Sequence, residues 1–423
     1  MATMTLSRLQ PLRAQILPIL LAGAFFLTAC AARDVPMPVA TPTPDRHPTL
    51  ADFWDGRAEF VVDVVDTGLP MGESDTVVMD DGRLRSYVHA SAQSAGVVDQ
   101  CGDPVPFPGC VVLLESTDQG RSFVPWAAAT TATAGQTDNT AAAAQQCLMP
   151  CARCPCDSTR DHIDQQQYPR VVRNEAAGAD AATWWMVYEY RGGNFMRTGT
   201  DGVHWSTPAE VPLTGIWQTW LRPCRPEEAI GVHPHAPAAY DCLVGGPPGL
   251  WVDAEHGPGR EIYVFVALGQ NPSSMGCYRG PANGPATALR KCTHNPLFTG
   301  ATVYGPPAAT GPATNPYFDF RTISSADLIA EEGRYYMFFE GVRGPGPGDA
   351  GDTQFALGLA RAATKAIDGP WEVYPGNPIL VDMPGNVGVG HADVVVIDGE
   401  TVLFTSLDGA QRSRLVLRWR PEP

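Results

Sequence analysis

Ile-Ser-Ser-Ala-Asp-Leu-Ile-Ala-Glu-Glu-Gly-Arg-Tyr-Tyr-Met-Phe-Phe-Glu-Gly, residues Ile323 to Gly341, decides the fold. The apolar pair Leu328-Ile329 meets a turn at Glu332-Gly333, and a second run, Tyr335 to Phe339, ends in Glu340-Gly341. A glycine in the turn supplies positive φ and the aromatic run favours a pleated strand, so the stretch predicts a β-hairpin. The pattern returns at Asp393-Val-Val-Val-Ile-Asp-Gly-Glu-Thr-Val-Leu-Phe-Thr, and more loosely at Thr76 to Val88. Two further copies run from Arg170-Val-Val to Trp184-Trp-Met-Val-Tyr-Glu and from Leu250-Trp-Val to Ile262-Tyr-Val-Phe-Val. Five hairpins in succession predict an all-β chain, a five-bladed β-propeller, with six blades as the rival count.

A strand at Glu59 to Asp66 precedes the first hairpin, and the last hairpin is followed by one strand, Arg414 to Arg420. The N-terminal strand is therefore expected to complete the last blade and close the ring, removing two exposed edges. The composition agrees: 44% of the 423 residues are apolar, only 17% are charged, and Gly (43) and Pro (40) are abundant, as short strands with many turns require.

Ahead of the blades, Arg8 and Arg13 precede the apolar run Ile16 to Leu27, which is short for a membrane span. Leu27-Thr28-Ala29-Cys30 resembles a bacterial lipobox. It implies a signal peptide over 1–29, lipidation at Cys30, and an exported lipoprotein of the outer membrane or cell surface; an ordinary export signal is the alternative. Residues 30–50, rich in Pro and Thr, read as a tether, and 51–423 as the propeller domain. Loss of the two leader arginines takes the formal charge from −16 to −18, which disfavours nucleic acid and anionic head groups. The membrane is expected as a partner through the lipid alone.

Ten cysteines besides Cys30 read first as disulfides, with Cys101/Cys110, Cys224/Cys242 and Cys277/Cys292 as local pairs. An Ala/Thr/Gln-rich, Cys-rich insertion covers about 127–160; its Cys147, Cys151, Cys154 and Cys156 have a zinc reading beside the disulfide one. Ser116-Thr-Asp-Gln-Gly-Arg-Ser-Phe123 resembles the Asp-box turn of sialidase-type propellers, and Thr198 to Trp205 a degenerate copy. That resemblance implies a structural turn whose Asp caps amides and whose aromatic packs between sheets.

In a propeller, positions before each inner strand and after each second strand converge on one mouth. The first kind gives Glu73, Asp75, Tyr168, Arg170, Ser324, Asp327, His391 and Asp393; the second gives His89, Glu189, Arg191, Gln270, Asn271, Glu340, Arg343 and Asp408. Carboxylates, guanidinium groups, amides and rings in one cleft suit an oligosaccharide or polysaccharide. Asp80, Asp81, Asp398 and Glu332 are turn formers, and His233 and His235 read as plain loop residues more readily than as metal ligands.

Glu73-Ser-Asp75-Thr-Val-Val, Gly388-Val-Gly-His391-Ala-Asp-Val-Val and Tyr335-Tyr-Met-Phe-Phe-Glu-Gly together make the chain, from about Phe53 to Trp419, resemble five-bladed propeller glycosidases of the arabinanase, xylosidase and invertase type. The resemblance implies Asp75 as general base and His391 in the axial channel beside a structural calcium or water, with no other cofactor. Two family positions depart. Gly246-Pro-Pro-Gly249 stands where the family has Asp-Pro, and Ser324-Ser325-Ala326 where it has its acid. Glu340 or Glu189 is then the expected proton donor, and Glu73, Arg170, Arg191, Gln270, Asn271, Asp327, His391 and Asp393 the expected sugar contacts. A non-catalytic glycan-binding lipoprotein is the second reading, and a structural envelope protein the third.

Overall fold

The computed structural model describes residues 46–70, 72–90, 97–98, 110–126, 145–146, 148, 167–174, 184–190, 193–206, 244–253, 261–268, 274–282, 288–299, 322–343, 354–381, 389, 391–407 and 411–421. Cys30 and the leader, the tether as far as residue 45, most of the 127–160 insertion with its four cysteines, and Arg191, Gln270, Asn271, His233 and His235 lie outside them. All the sheets belong to one compact unit, 45–423.

Five antiparallel sheets form five blades. Blade one holds Ser74–Val78, Leu84–Ala90, Cys110–Ser116 and Val124–Pro125. Blade two holds Gln167–Arg173, Trp184–Tyr190 and Gly193–Gly199. Blade three begins with Val244–Asp253, Glu261–Leu268 and Ser274–Pro281, and blade four with Thr322–Glu331, Arg334–Arg343 and Gln354–Ala362. Blade five holds Asp393–Ile397, Glu400–Thr405 and Ser413–Trp419, with Ala58–Val64 as its outer strand. That outer strand pairs antiparallel with the C-terminal one, from Ala58 opposite Trp419 to Val64 opposite Arg414.

The hairpins have the turns their sequences dictate. Glu332 and Gly333 both take positive φ (51° and 71°), as do Asp398 and Gly399 (49° and 83°). This is the geometry whose twist matches a tight antiparallel pair. The first strands of successive blades contact one another all the way round, blade five meeting blade one. Five apolar clusters fill the five interfaces: Phe265 with Phe339 between blades three and four, Trp185 with Val264 between two and three, and Tyr87 with Trp184 between one and two. Leu84 with Phe404 joins blades one and five, and Phe338 with Leu403 joins four and five.

Both Asp-box turns act as wedges in these interfaces. Asp118 accepts from Ser122 N (2.9 Å) and Ser122 Oγ (2.6 Å), and Phe123 meets Phe404 of blade five edge-on at 5.5 Å. Asp201 accepts from Val203 N (2.9 Å) and His204 N (2.8 Å), and Trp205 meets Tyr87 of blade one at 6.0 Å. The expected Cys277–Cys292 disulfide is present, tying blade three to its own loop. Cys110 is also disulfide-bonded.

Candidate active site

The first strands of blades one, two, four and five bring their leading residues to the axis in two levels. The inner level contains Asp75, Asp327 and Asp393, each offering a carboxylate oxygen within 4.8 Å of the others. Each carboxylate also accepts the backbone N–H that leads the next blade round the ring. Asp75 Oδ2 accepts from Val171 N, Asp327 Oδ2 from Val394 N (2.5 Å), and Asp393 Oδ1 from Thr76 N (3.0 Å). Ser74 Oγ (2.5 Å) and Thr76 Oγ1 (2.7 Å) donate to the other Asp393 oxygen. These aspartates link blade one to two, four to five, and five back to one. In blade three Gly249 holds the corresponding place, where a Cβ would fall 2.5 Å from Ala326 O.

Arg170 of blade two is buried among them. It donates to Ser74 O (2.8 Å), Ser325 Oγ (2.8 Å) and Ala392 O (3.1 Å), so one side chain ties blades one, two, four and five. Its Nη atoms lie 3.7 Å from Glu73 and 3.8 Å from Asp75. Burial alone would weaken its hold on the proton, but Glu73 and the three aspartates reverse the effect. Burial pushes Asp75 well above the usual carboxylate range; Asp327 and Asp393 add to this, and Arg170 and the Val171 N–H offset part of it. Asp327 is pushed up to about 7, again mainly by burial, against the pull of Arg170.

The second level contains Glu73, Glu340 and His391, whose ligand-type atoms also lie within 4.8 Å of one another. His391 Nε2 stands 2.7 Å from Glu340 Oε2, and the imidazole is 15% exposed. Burial would lower its pKa, but the Glu340 and Glu73 carboxylates raise it above its ordinary value. Glu73 is fully buried, which pushes its carboxyl up; Glu340 adds to this, while His391 and Arg170 offset part. Ser325 Oγ donates to Glu73 Oε1, whereas Glu73 Oε2 and His391 Nδ1 are buried without a hydrogen-bond partner among the described residues.

Around this level stand rings. Tyr168 lies edge-on to His89 (5.2 Å) and to His391 (5.6 Å), and Phe355 lies 6.2 Å from His391. Glu189 is half-buried and close enough to Tyr168 for its charge to add to the burial, Glu73 and Glu340 that raise that phenol. Tyr168 and Ser325 both have positive φ (55° and 54°) and sit at register shifts in their strands, between Gln167 and Arg170 and between Ser324 and Asp327. Such bulges turn side chains inward that a regular strand would face elsewhere. Arg412 clasps both sides: it donates to the carbonyls of Gly72 and His391, next to and within the site, and to Phe404 O (2.5 Å). Burial brings its pKa down to about 10.

Of the residues expected at the mouth, the structure thus gathers Glu73, Glu340 and His391 at one level, with Glu189 near Tyr168 beside it, and Asp75, Asp327, Asp393 and Arg170 at the other. Ser325 and Arg412 were missed. A serine in left-handed backbone has no sequence signature, and nothing in Gln411-Arg412-Ser413 marks that arginine as buried. Neither level suits calcium as it stands. In the inner one each aspartate already accepts a backbone N–H, with Arg170 among them. In the other, His391 faces Glu340 as a favoured imidazolium, and calcium takes oxygen ligands.

No family model and no curated protein sequence matches the chain. Solved structures do match it in fold. A thermostable family-43 glycoside hydrolase aligns with TM-score 0.46 and 13% identity, over 86% of this chain and 98% of its own. An endo-1,4-β-xylanase from Bacteroides thetaiotaomicron gives 0.44 and 10%, over 86% and 97%. An α-L-arabinanase from Cellvibrio cellulosa, complexed with arabinohexaose, gives 0.41 and 10%, over 83% and 93%. The blade count stands on the strand pairing itself, and the chemistry of the site on its residues.

Proposed function

We propose that the axial site binds a glycan and hydrolyses a glycosidic bond with Glu73 and Glu340 as its working carboxyls. The observation that carries this is their asymmetry: two carboxyls within 4.8 Å, Glu340 with its Oε2 2.7 Å from the His391 imidazole and Glu73 fully buried with its Oε1 against the Ser325 hydroxyl. An acid that keeps its proton near neutral pH needs the second setting, and an anion needs the first. The spacing lies nearer the ~5–5.5 Å of retaining pairs than the ~6.5–9.5 Å that leaves room for an attacking water. In this reading Glu73 gives its proton to the glycosidic oxygen as the C–O bond breaks, and Glu340 forms a bond to the anomeric carbon. Water then displaces Glu340 and returns a proton to Glu73. Asp75, expected as the base, is assigned instead to joining blades one and two, because its Oδ2 holds the Val171 N–H. Tyr168 and His89 offer faces and edges to a sugar ring.

A screen of aryl glycosides and plant or microbial oligosaccharides tests this, with Glu340→Gln as control. The burial of Glu73 and Glu340 favours the non-catalytic alternative. Specific binding on a glycan array without turnover of any glycoside would establish that reading in place of hydrolysis. We also propose export and lipid anchoring at Cys30, on the strength of Leu27-Thr28-Ala29-Cys30 after its apolar run.

A further inference from the structure

We propose that Ser325 is a positioning residue that, backed by Arg170, fixes which oxygen of Glu73 carries the acid proton; this deepens the hydrolase reading and rests on it. A guanidinium has donors only. Arg170 Nη2 therefore donates to Ser325 Oγ (2.8 Å), and the Ser325 hydroxyl is left to donate onward to Glu73 Oε1. Oε1 is thereby an acceptor, so the proton of neutral Glu73 resides on Oε2. That is the oxygen with no hydrogen-bond partner among the described residues, on a side chain grouped with Glu340 and His391.

The backbone is built for this delivery. Ser325 has φ 54° at a register shift, and its side chain is fully buried, so its hydroxyl serves no solvent-facing purpose. A left-handed conformation at a non-glycine residue is unfavourable, and this chain holds a serine in it. In the chemical step the Oε2–H bond breaks and its proton bonds to the leaving oxygen. That oxygen keeps the electron pair of the broken C–O bond, and Glu73 becomes the carboxylate that later accepts a proton from water.

Ser325→Gly removes the hydroxyl while suiting the backbone, since glycine adopts this φ freely. The thermal midpoint is expected to hold. With unactivated glycosides kcat/KM should fall by about 10²-fold, the low end of a general acid's contribution. With dinitrophenyl glycosides, whose leaving group needs no proton, kcat/KM, which reports the first bond-breaking step, should stay within a few-fold of wild type. Glu73→Gln should show the same split in kcat/KM while its kcat falls on both substrates, because Glu73 also takes the proton from water, and adding Ser325→Gly to it should cause no further loss in kcat/KM. An equal loss on both substrate types would make Ser325 merely structural and overturn the proposal. If the wild-type protein hydrolyses no glycoside, the hydrolase reading fails by itself, and the relay is read by infrared difference spectroscopy. The protonated C=O band that Glu73→Gln removes should move to higher frequency in Ser325→Gly, because that C=O loses its donor. An unmoved band overturns the relay.

Discussion

Replacing Asp327 by asparagine separates the charge of the axial aspartates from their hydrogen bonds. The amide oxygen can still accept the Val394 N–H, and Arg170 keeps Asp75, Asp393 and Glu73 as neighbours. What is lost is an ionisable group whose pKa is about 7 in the folded chain, against about 3.9 when unfolded. A raised carboxyl keeps its proton in the folded state after the unfolded chain has released it. Its contribution is therefore complete below about pH 4 and lost as pH rises through about 7. Three units at about 1.36 kcal/mol each set a ceiling of about 4 kcal/mol. At roughly 2 cal/mol/K per residue, a domain of this size converts that into a shift of about 5 °C. Thermal melts across pH 4 to 8 should show Asp327→Asn and wild type together at the acid end, the variant then gaining until it melts about 5 °C higher near pH 8. A difference between the two that does not change with pH would refute the idea that Asp327 is held protonated at the axis.

Four further outcomes are expected. Glu340→Gln should lower glycoside turnover by about 10²–10⁴-fold while glycan affinity, measured by calorimetry, changes little. Gly249→Ala should destabilise by about 1–3 kcal/mol in denaturant titration, because its Cβ would meet Ala326 O at 2.5 Å and Ala326 Cβ at 2.7 Å. Replacing Cys277 and Cys292 together by serine should cost about 3 kcal/mol by the same measurement, as for a loop of 15 residues. A fatty-acid analogue should label the wild-type protein and leave Cys30→Ala unlabelled.

The hairpins were legible because their information is local. Glu332-Gly333 and Asp398-Gly399 announce their turns, and the β-branched and aromatic runs beside them announce strands. Knowing that the strands within a blade alternate direction was enough to bring Glu73, His391 and Glu340 to one end of the axis. What could not be read was the grouping. Glu73 and Asp75 are two residues apart, yet one joins Glu340 and His391 while the other joins Asp327 and Asp393. That split depends on strand pleat and on the two bulges that turn Tyr168 and Ser325 inward. The first carries Pro169, which marks a strand irregularity, whereas the second, Ser324-Ser325-Ala326, has neither glycine nor proline to give it away. The Glu340–His391 pair was likewise hidden, since it joins two blades through side chains alone.

The pairing of Ala58–Val64 with Ser413–Trp419 also bears on how the chain is made. Strands at opposite ends of the polypeptide must find each other, so this sheet has the longest loop to close and the greatest entropy to lose. A chain emerging from its N-terminus can form the hairpins of blades one to four in turn. Its first strand must wait for the last residues before it has a partner. Until then that strand is an unpaired, sticky edge on a growing chain, and Val61, Val62 and Val65, which stay exposed in the folded molecule, add to its stickiness.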